Sequence, residues 1–247
     1  MAPRHKGFSG CAGEGWGHVD CSFDFDAVVF DLDGTLIDSV RPEFLACSAL
    51  FEECGAEFTP DFWAREVCGR VGGYPALFEV LRQRAAVALT DAELQDRLAV
   101  QWDRFFTPEH VTLLPGAGAL LDELRSSGRP LAVASSSDRE WVTRWLRHFA
   151  IERHFSVVVS GDDVARKKPD PMAYVVAAAE LGVPPARCLA VEDSLTGIAA
   201  AKTAGCTVVA VPTRLTRHLD HASADCVASD LHEVRRLWPA IDPVPPR

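Results

Sequence analysis

Hydrophobic residues gather in six short continuous runs, at positions 27–30, 131–134, 157–159, 189–191, 208–211 and 226–228. Most are rich in valine, and none alternates with polar residues. Runs of this kind suit strands buried on both faces of a parallel sheet. Between the later runs the pattern turns helical. Asp170 and Pro171 supply an N-cap and a first-turn proline, with Gly182 at the far end. Ser194 caps a further helix that passes through Ala199, Ala200 and Ala201 and stops at Gly205. Strand and helix in alternation over 112–230 predict an α/β fold with a doubly wound parallel sheet.

Residues 41–111 break that rhythm. They hold no strand run, only amphipathic helical patterns. Thr90 and Glu93 form a capping box, after which Leu94, Leu98, Trp102 and Phe105 recur at near-helical spacing. An all-helical cap is therefore expected to interrupt the α/β core after its first strand, where it can lie over the sheet's carboxyl edge. The division is 23–40 and 112–238 for the core and 41–111 for the cap. Residues 1–22, with five glycines and no apolar stretch, read as a disordered leader, and 239–247, with four prolines, as a loose tail.

Composition changes this picture little. The 247 residues are 48% hydrophobic and 24% charged, ordinary values for a folded chain. No apolar run approaches the ~20 residues of a membrane helix. Acids outnumber lysine and arginine by 35 to 25, a formal charge of −10, which disfavours nucleic acid and anionic membranes as partners. Eight cysteines without a C-x-x-C pair read as reduced thiols, and hence as a cytoplasmic chain; a monomer is the default expectation.

Chemistry collects where the runs end. The first ends in Asp31, the second in Ser135, the third in Ser160-Gly161-Asp162, the fourth in Glu192-Asp193. In an open parallel sheet those ends share one edge, where ligands bind. Asp31 and Asp33, at i and i+2, leave the strand end on the same side and repel each other unless a cation intervenes.

FDLDGTLIDS at 30–39, the Ser135-Ser136 pair, KKPDP at 167–171 and VEDSLTGIAAAKTAG at 191–205 follow one another along the chain. In that order they resemble the four motifs of the haloacid dehalogenase (HAD) superfamily, over about residues 24–230. The position of the helical insert is similar to that in the branch containing β-phosphoglucomutase and small sugar phosphatases. The resemblance implies a Rossmann-like core, a mobile cap and an enzyme acting on a small phosphorylated metabolite. It makes Asp31 the nucleophile that becomes an aspartyl phosphate, and Asp33 the general acid and then base. It gives Ser135, Lys168 and the backbone N–H groups of Leu32 and Ser136 to the phosphoryl oxygens. Asp31, Asp193 and the carbonyl of Asp33 would hold Mg²⁺, an ion suited to hard oxygen donors, with Glu192 orienting them from behind.

Substrate contacts are expected from Arg70 and Gly72 in the loop at 68–74, and from Ser137 and Arg139 just past the second motif. Trp141 and Trp145, at i and i+4, read as core. His218 and His221 read as a solvent-facing helix-end pair, Lys167 and Arg166 as solvated surface, and Asp162 and Asp163 as turn caps. Phosphatase is the first reading of function. A phosphomutase stands second, because its family has valine where Thr35 stands, histidine where Glu43 falls and a basic cap residue where Gln101 aligns. A catalytically silent ligand-binding protein of the same fold stands third, since Asp33, Lys168 and Asp193 are all present. Dehalogenation lacks the aspartate found here as Asp33.

Overall fold

The computed structural model describes residues 24–70 and 72–236; the expected leader and tail lie outside them. In chain order the elements are β1 (Ala27–Phe30), β2 (Ile37–Asp38), α1 (Val40–Glu53), α2 (Pro60–Glu66), α3 (Gly73–Ala85) and α4 (Asp91–Phe105). There follow β3 (Thr112–Leu113), α5 (Ala117–Ser126), β4 (Leu131–Ala134), α6 (Arg139–His148), β5 (Val157–Val159) and α7 (Met172–Leu181). The chain continues through β6 (Cys188–Glu192), α8 (Leu195–Ala204), β7 (Thr207–Ala210), β8 (Cys226–Val227) and α9 (Leu231–Arg236).

Six strands form one sheet in the order β5-β4-β1-β6-β7-β8, every neighbouring pair parallel. Its strands are buried on both faces, which is why their sequences are continuous apolar runs. Alternate residues of β1 serve different cores. Val28 and Phe30 join Leu120, Leu124, Val142, Leu146 and Val234 from α5, α6 and α9. Ala27 and Val29 join Ala177, Ala178, Ala200 and Ala201 from α7 and α8. Small alanines let α7 and α8 approach the sheet closely. The sheet is an α/β doubly wound core of the Rossmann-like kind.

Helices α1 to α4 pack on one another around Leu50, Phe51, Trp63, Leu77, Leu81, Leu94 and Leu98. The capping box is present at the start of α4: Glu93 N donates to Thr90 Oγ1 and Thr90 N to Glu93 Oε2. β2 and β3 pair antiparallel, Ile37 opposite Leu113 and Asp38 opposite Thr112. The two crossings between sheet and helices thus run side by side as a short ribbon. Leu215 and Leu219, from the segment after β7, pack against the helical cluster as well.

Boundaries shift slightly from the pattern. α7 begins one residue later than expected, at Met172, because the Asp170 carboxylate accepts the Met172 N–H (3.1 Å) and makes a turn of the residues before it. The reading of His218 and His221 as a helix-end pair needs correcting. No helix covers them, and His221 is buried with Nδ1 2.8 Å from the Leu219 carbonyl. The packing of Leu219 on the helices draws this segment inward. His218 stays at the surface, 3.1 Å from Asp61 of α2.

Candidate active site

The strand order reverses at β1, whose two neighbours β4 and β6 come from different halves of the core. The crevice at their carboxyl ends is where such sheets bind ligands. A cleft of about 830 Å³ opens there, lined by Asp31, Asp33, Ser135, Ser136, Lys168 and Asp193 from the sheet side and by Glu43, Tyr74, Trp102 and Phe106 from the helices.

Asp31 follows β1 directly and is buried. Its Oδ1 accepts a hydrogen bond from Lys168 Nζ at 2.6 Å. Its Oδ2 is buried with no hydrogen-bond partner. Burial is the main cause that lifts its pKa to about 7, and the Glu192 and Asp33 carboxylates add to it, while Lys168 opposes the shift. Burial works against the charge on Lys168, but Asp31 and Glu192, both at 2.6 Å, outweigh it and hold its pKa above the ordinary lysine value.

Glu192, at the end of β6, is fully occupied. Oε1 accepts from Lys168 Nζ and from the Tyr174 hydroxyl (2.7 Å), and Oε2 accepts from Asp193 N, Ser194 N and Ser194 Oγ at 3.0–3.1 Å. A Cβ on Gly197 would overlap this carboxylate, so α8 can begin this close only with glycine there. Asp193 differs: its carboxylate takes no hydrogen bond among the described residues. Burial, then the charges of Asp31 and Glu192, push its pKa well up.

Asp31, Glu192 and Asp193 lie within 4.8 Å of one another, a buried acidic cluster with one lysine to balance it. The residues present fit a divalent cation. The orphaned Oδ2 of Asp31 and the unbonded carboxylate of Asp193 are hard oxygen donors, whereas Glu192 has its oxygens taken. Gly34, at φ +88°, is where a Cβ would overlap the Asp193 carboxylate, so the turn after Asp33 can press against Asp193 only without a side chain.

Asp33 sits in a separate set of donors. Ser39 Oγ (2.8 Å) and Trp141 Nε1 (2.9 Å) donate to its Oδ1, and Ser137 Oγ (2.7 Å) to its Oδ2, with Ser135 Oγ farther off at 3.5 Å. Ser39 precedes α1, but its hydroxyl turns to Asp33 instead of capping the helix. Asp138 caps α6 by accepting the Trp141 N–H (2.7 Å), which places the indole in the first turn, above the cleft.

Trp141 is only in part a core residue: it packs against the core beside Trp145 but turns its indole N–H to Asp33. Trp145, one turn on, is buried, and Trp141 is half-buried. Ser137 does reach the cleft. Arg139 does not: its guanidinium bonds the Val158 carbonyl (3.0 Å) and pairs with Asp163, because α6 starts at this residue and points its side chain back along β5. Gly72 is the left-handed residue before α3 (φ +80°) and is not part of the cleft wall. Arg70 lines the cleft, held to Glu66 at 3.3 Å. Ser136 lines it too, while the Leu32 side chain is buried in the core and its carbonyl accepts the Leu36 and Ile37 N–H groups. Lys167, taken for solvated surface, is exposed but also lines the cleft, beside Lys168. Asp163 accepts the Ser160 N–H as a turn cap, whereas Asp162, also read as a turn cap, instead accepts the N–H of Arg139 at the start of α6.

Three groups escaped the sequence reading. Ser39 looks like any helix-start serine, Trp141 shares a helix face with Trp145, and Tyr174 lies in an apolar helix.

A family model of haloacid dehalogenase-like hydrolases matches residues 28–211. The chain belongs to this family. Among its relatives, the β-phosphoglucomutase of Bacillus subtilis is 36% identical over 193 residues, covering 75% of this chain and 82% of that one. The validoxylamine A 7'-phosphate phosphatase of Streptomyces hygroscopicus subsp. limoneus is 34% identical over 221 residues, 89% of this chain and 99% of the relative. A HAD family hydrolase from Deinococcus radiodurans R1, solved with bound phosphate and sodium, superimposes with a TM-score of 0.76 at 28% identity, covering 91% and 99% of the two chains. Among the described residues no helix is long and apolar enough to cross a membrane.

Proposed function

We propose that this HAD-family hydrolase is a Mg²⁺-dependent phosphatase that cleaves a small phosphate monoester, a sugar phosphate or related metabolite, through a phosphoryl group carried on Asp31. One observation carries the reading. Asp31 and Asp33 line one cleft in opposite environments, Asp31 tied to a buried lysine and Asp33 to neutral donors.

The Asp31 carboxylate attacks phosphorus as the bond to the alcohol oxygen breaks, and Asp33 gives that oxygen a proton. Asp33 is then a carboxylate. It takes a proton from the water that attacks the aspartyl phosphate, phosphate leaves, and Asp31 is restored. The donors around Asp33 allow both states. An indole can only donate, so Trp141 keeps its bond to Oδ1 throughout, whereas the Ser137 hydroxyl can turn and accept when Oδ2 is protonated. Lys168 keeps Asp31 charged and meets the phosphoryl oxygens, and Ser135 with the N–H groups of Leu32 and Ser136 completes the cradle. Mg²⁺, held by Asp31, Asp193 and the Asp33 carbonyl, would neutralise charge on the transferring group.

The cap side supports hydrolysis over a mutase. Gln101 is buried and bonded to Glu53, and Glu43 presents a carboxyl to the cleft, so neither position offers a cation to a second phosphate. Incubating the purified chain with an aryl phosphate tests the proposal. Phosphate release that needs Mg²⁺, with a phosphoenzyme trapped on Asp31, is expected; full activity in excess EDTA overturns it.

A further inference from the structure

Away from Asp31 the cleft is walled by aromatic rings in contact. Tyr74 meets Trp102 (centroids 5.3 Å), Trp102 meets Phe106 (6.5 Å), and Phe106 meets Trp141 (5.0 Å), whose indole reaches Asp33. All four line the cleft. Beside Tyr74 lies Glu43 of α1, one helical turn past Ser39, whose hydroxyl bonds Asp33. Glu43 accepts a 2.5 Å hydrogen bond from the Tyr74 hydroxyl, takes no other side-chain hydrogen bond, and pairs with no cation among the described residues. Of the basic side chains of the lining, Lys168 is held by Asp31 and Glu192, Lys167 is exposed beside it, and the two arginines are engaged elsewhere. Arg70 holds Glu66, and Arg144 donates to the Phe106 carbonyl and lies over the Trp145 ring.

A carboxylate accepts only, and has about four lone-pair directions, of which Tyr74 fills one. The remaining capacity faces a cavity whose wall favours apolar or cationic faces. With the phosphoryl group at Asp31, the alcohol part of the ester lies along this wall towards Glu43.

Resting on the phosphatase reading, we propose that Glu43 is a specificity-determining residue: it selects phosphate monoesters whose alcohol part carries a hydrogen-bond donor, hydroxyl or ammonium, and disfavours those whose alcohol part carries a second anion. Donors satisfy the carboxylate; a carboxylate or phosphate brought beside it meets like charge in a partly desolvated cleft. Tyr74 positions the Glu43 carboxyl.

The test compares kcat/KM at pH 8 for four esters: p-nitrophenyl phosphate, a hexose 6-phosphate, a hexosamine 6-phosphate and phosphoglycolate. Wild type is set against Glu43→Gln and Tyr74→Phe, each checked for an unchanged circular dichroism spectrum. Hydrogen bonds to charged groups are worth enough to expect about a 10–100-fold fall in the hexosamine to phosphoglycolate ratio in Glu43→Gln. The hexose ester should lose less, because an amide oxygen still accepts from a hydroxyl. Tyr74→Phe, which keeps the ring, should shift the same ratios in the same direction by less. Ratios equal in wild type and both variants overturn the role of Glu43 while leaving the phosphatase intact. A wild type that hydrolyses none of the four esters overturns the phosphatase reading itself.

Discussion

Two of the carboxyl groups that face the cleft are Asp31 from the sheet and Glu43 from the cap, and burial first of all lifts the pKa of each to about 7. Their company differs. Asp31 has a lysine at 2.6 Å and belongs to a cluster of acids that share it, whereas Glu43 has a single phenol. Around Asp31 the folded chain itself supplies most of the charge balance, leaving an oxygen of Asp31 and the Asp193 carboxylate to be met by a cation. Around Glu43 it supplies almost none. One side of the cleft is thus organised for a fixed group that every substrate would share, and the other is left open for whatever varies between substrates.

The sharpest way to break this comparison is at Asp31. An amide at this position cannot attack phosphorus, so Asp31→Asn should cost several orders of magnitude in kcat with the fold retained. Near-normal turnover in a clean preparation would remove the nucleophile from the sheet side. Next comes Lys168→Met. It leaves Asp31 and Glu192 buried without their shared cation, and breaking such a pairing typically costs about 3–5 kcal/mol. Urea unfolding should show a loss of that size; a loss below about 1 kcal/mol would mean that the network is not what holds the sheet edge together.

Asp193→Asn should act in the opposite sense. Burial, with Asp31 and Glu192, pushes its pKa up, so removing the charge should stabilise the metal-free chain. If the cluster holds Mg²⁺ as proposed, the wild type should gain Tm from Mg²⁺ and this variant should not. A variant that is less stable than wild type in EDTA, or that still gains from Mg²⁺, would contradict this account of the cluster.

These two sides were unequally visible in the sequence. Asp31, Ser135 and Glu192 stand where an apolar run stops abruptly at a polar residue, and a doubly wound sheet brings such stops to one edge whatever the helices do. The helical cap offers no equivalent rule. Trp141 and Trp145 share a face of α6 by spacing, and only the placement of the helix's first turn over Asp33 separates them. Arg139 stands two residues from a cleft-lining serine, yet the start of α6 turns it back to Asp163 and Val158. Glu43 and Tyr74 lie 31 residues apart and meet only because α1 and α3 pack in one cluster. Local pattern finds residues that backbone topology positions, and misses those positioned by helix packing.

A smaller effect is expected at Trp141. In Trp141→Phe the ring still packs against Phe106, but Asp33 Oδ1 loses one of its two donors. A neutral hydrogen bond is worth about 1 kcal/mol, so kcat should fall about fivefold. The loss should appear in kcat for p-nitrophenyl phosphate and for a hexose phosphate alike, since Asp33 serves both. A change confined to KM for one ester would move Trp141 from proton transfer to substrate binding.

The last expected effect concerns stability at Glu43 alone. Glu43 has an ordinary pKa of 4.5 and is raised to about 7 in the folded chain, chiefly by burial, with the Tyr74 bond opposing. Below about pH 4.5 both folded and unfolded chains hold the proton, and there is no contribution. Between there and about pH 7 the unfolded chain releases the proton while the folded chain keeps it, so stability falls as pH rises; above that range the loss is constant. Glu43→Gln has no such proton to hold. Each pKa unit is worth about 1.4 kcal/mol, so between pH 5 and pH 8 the balance should move by about 2–3 kcal/mol towards the variant. The amide's weaker bond with Tyr74 offsets the small gain at pH 5 and leaves the variant about 2 kcal/mol ahead at pH 8. Thermal unfolding of both chains should give Tm values that nearly coincide at pH 5 and separate by pH 8, with Gln the higher. Curves that separate equally at both pH values would show that packing, and not charge, sets the difference, and Glu43 would then be no more exposed to its own charge than Asp31 is beside Lys168.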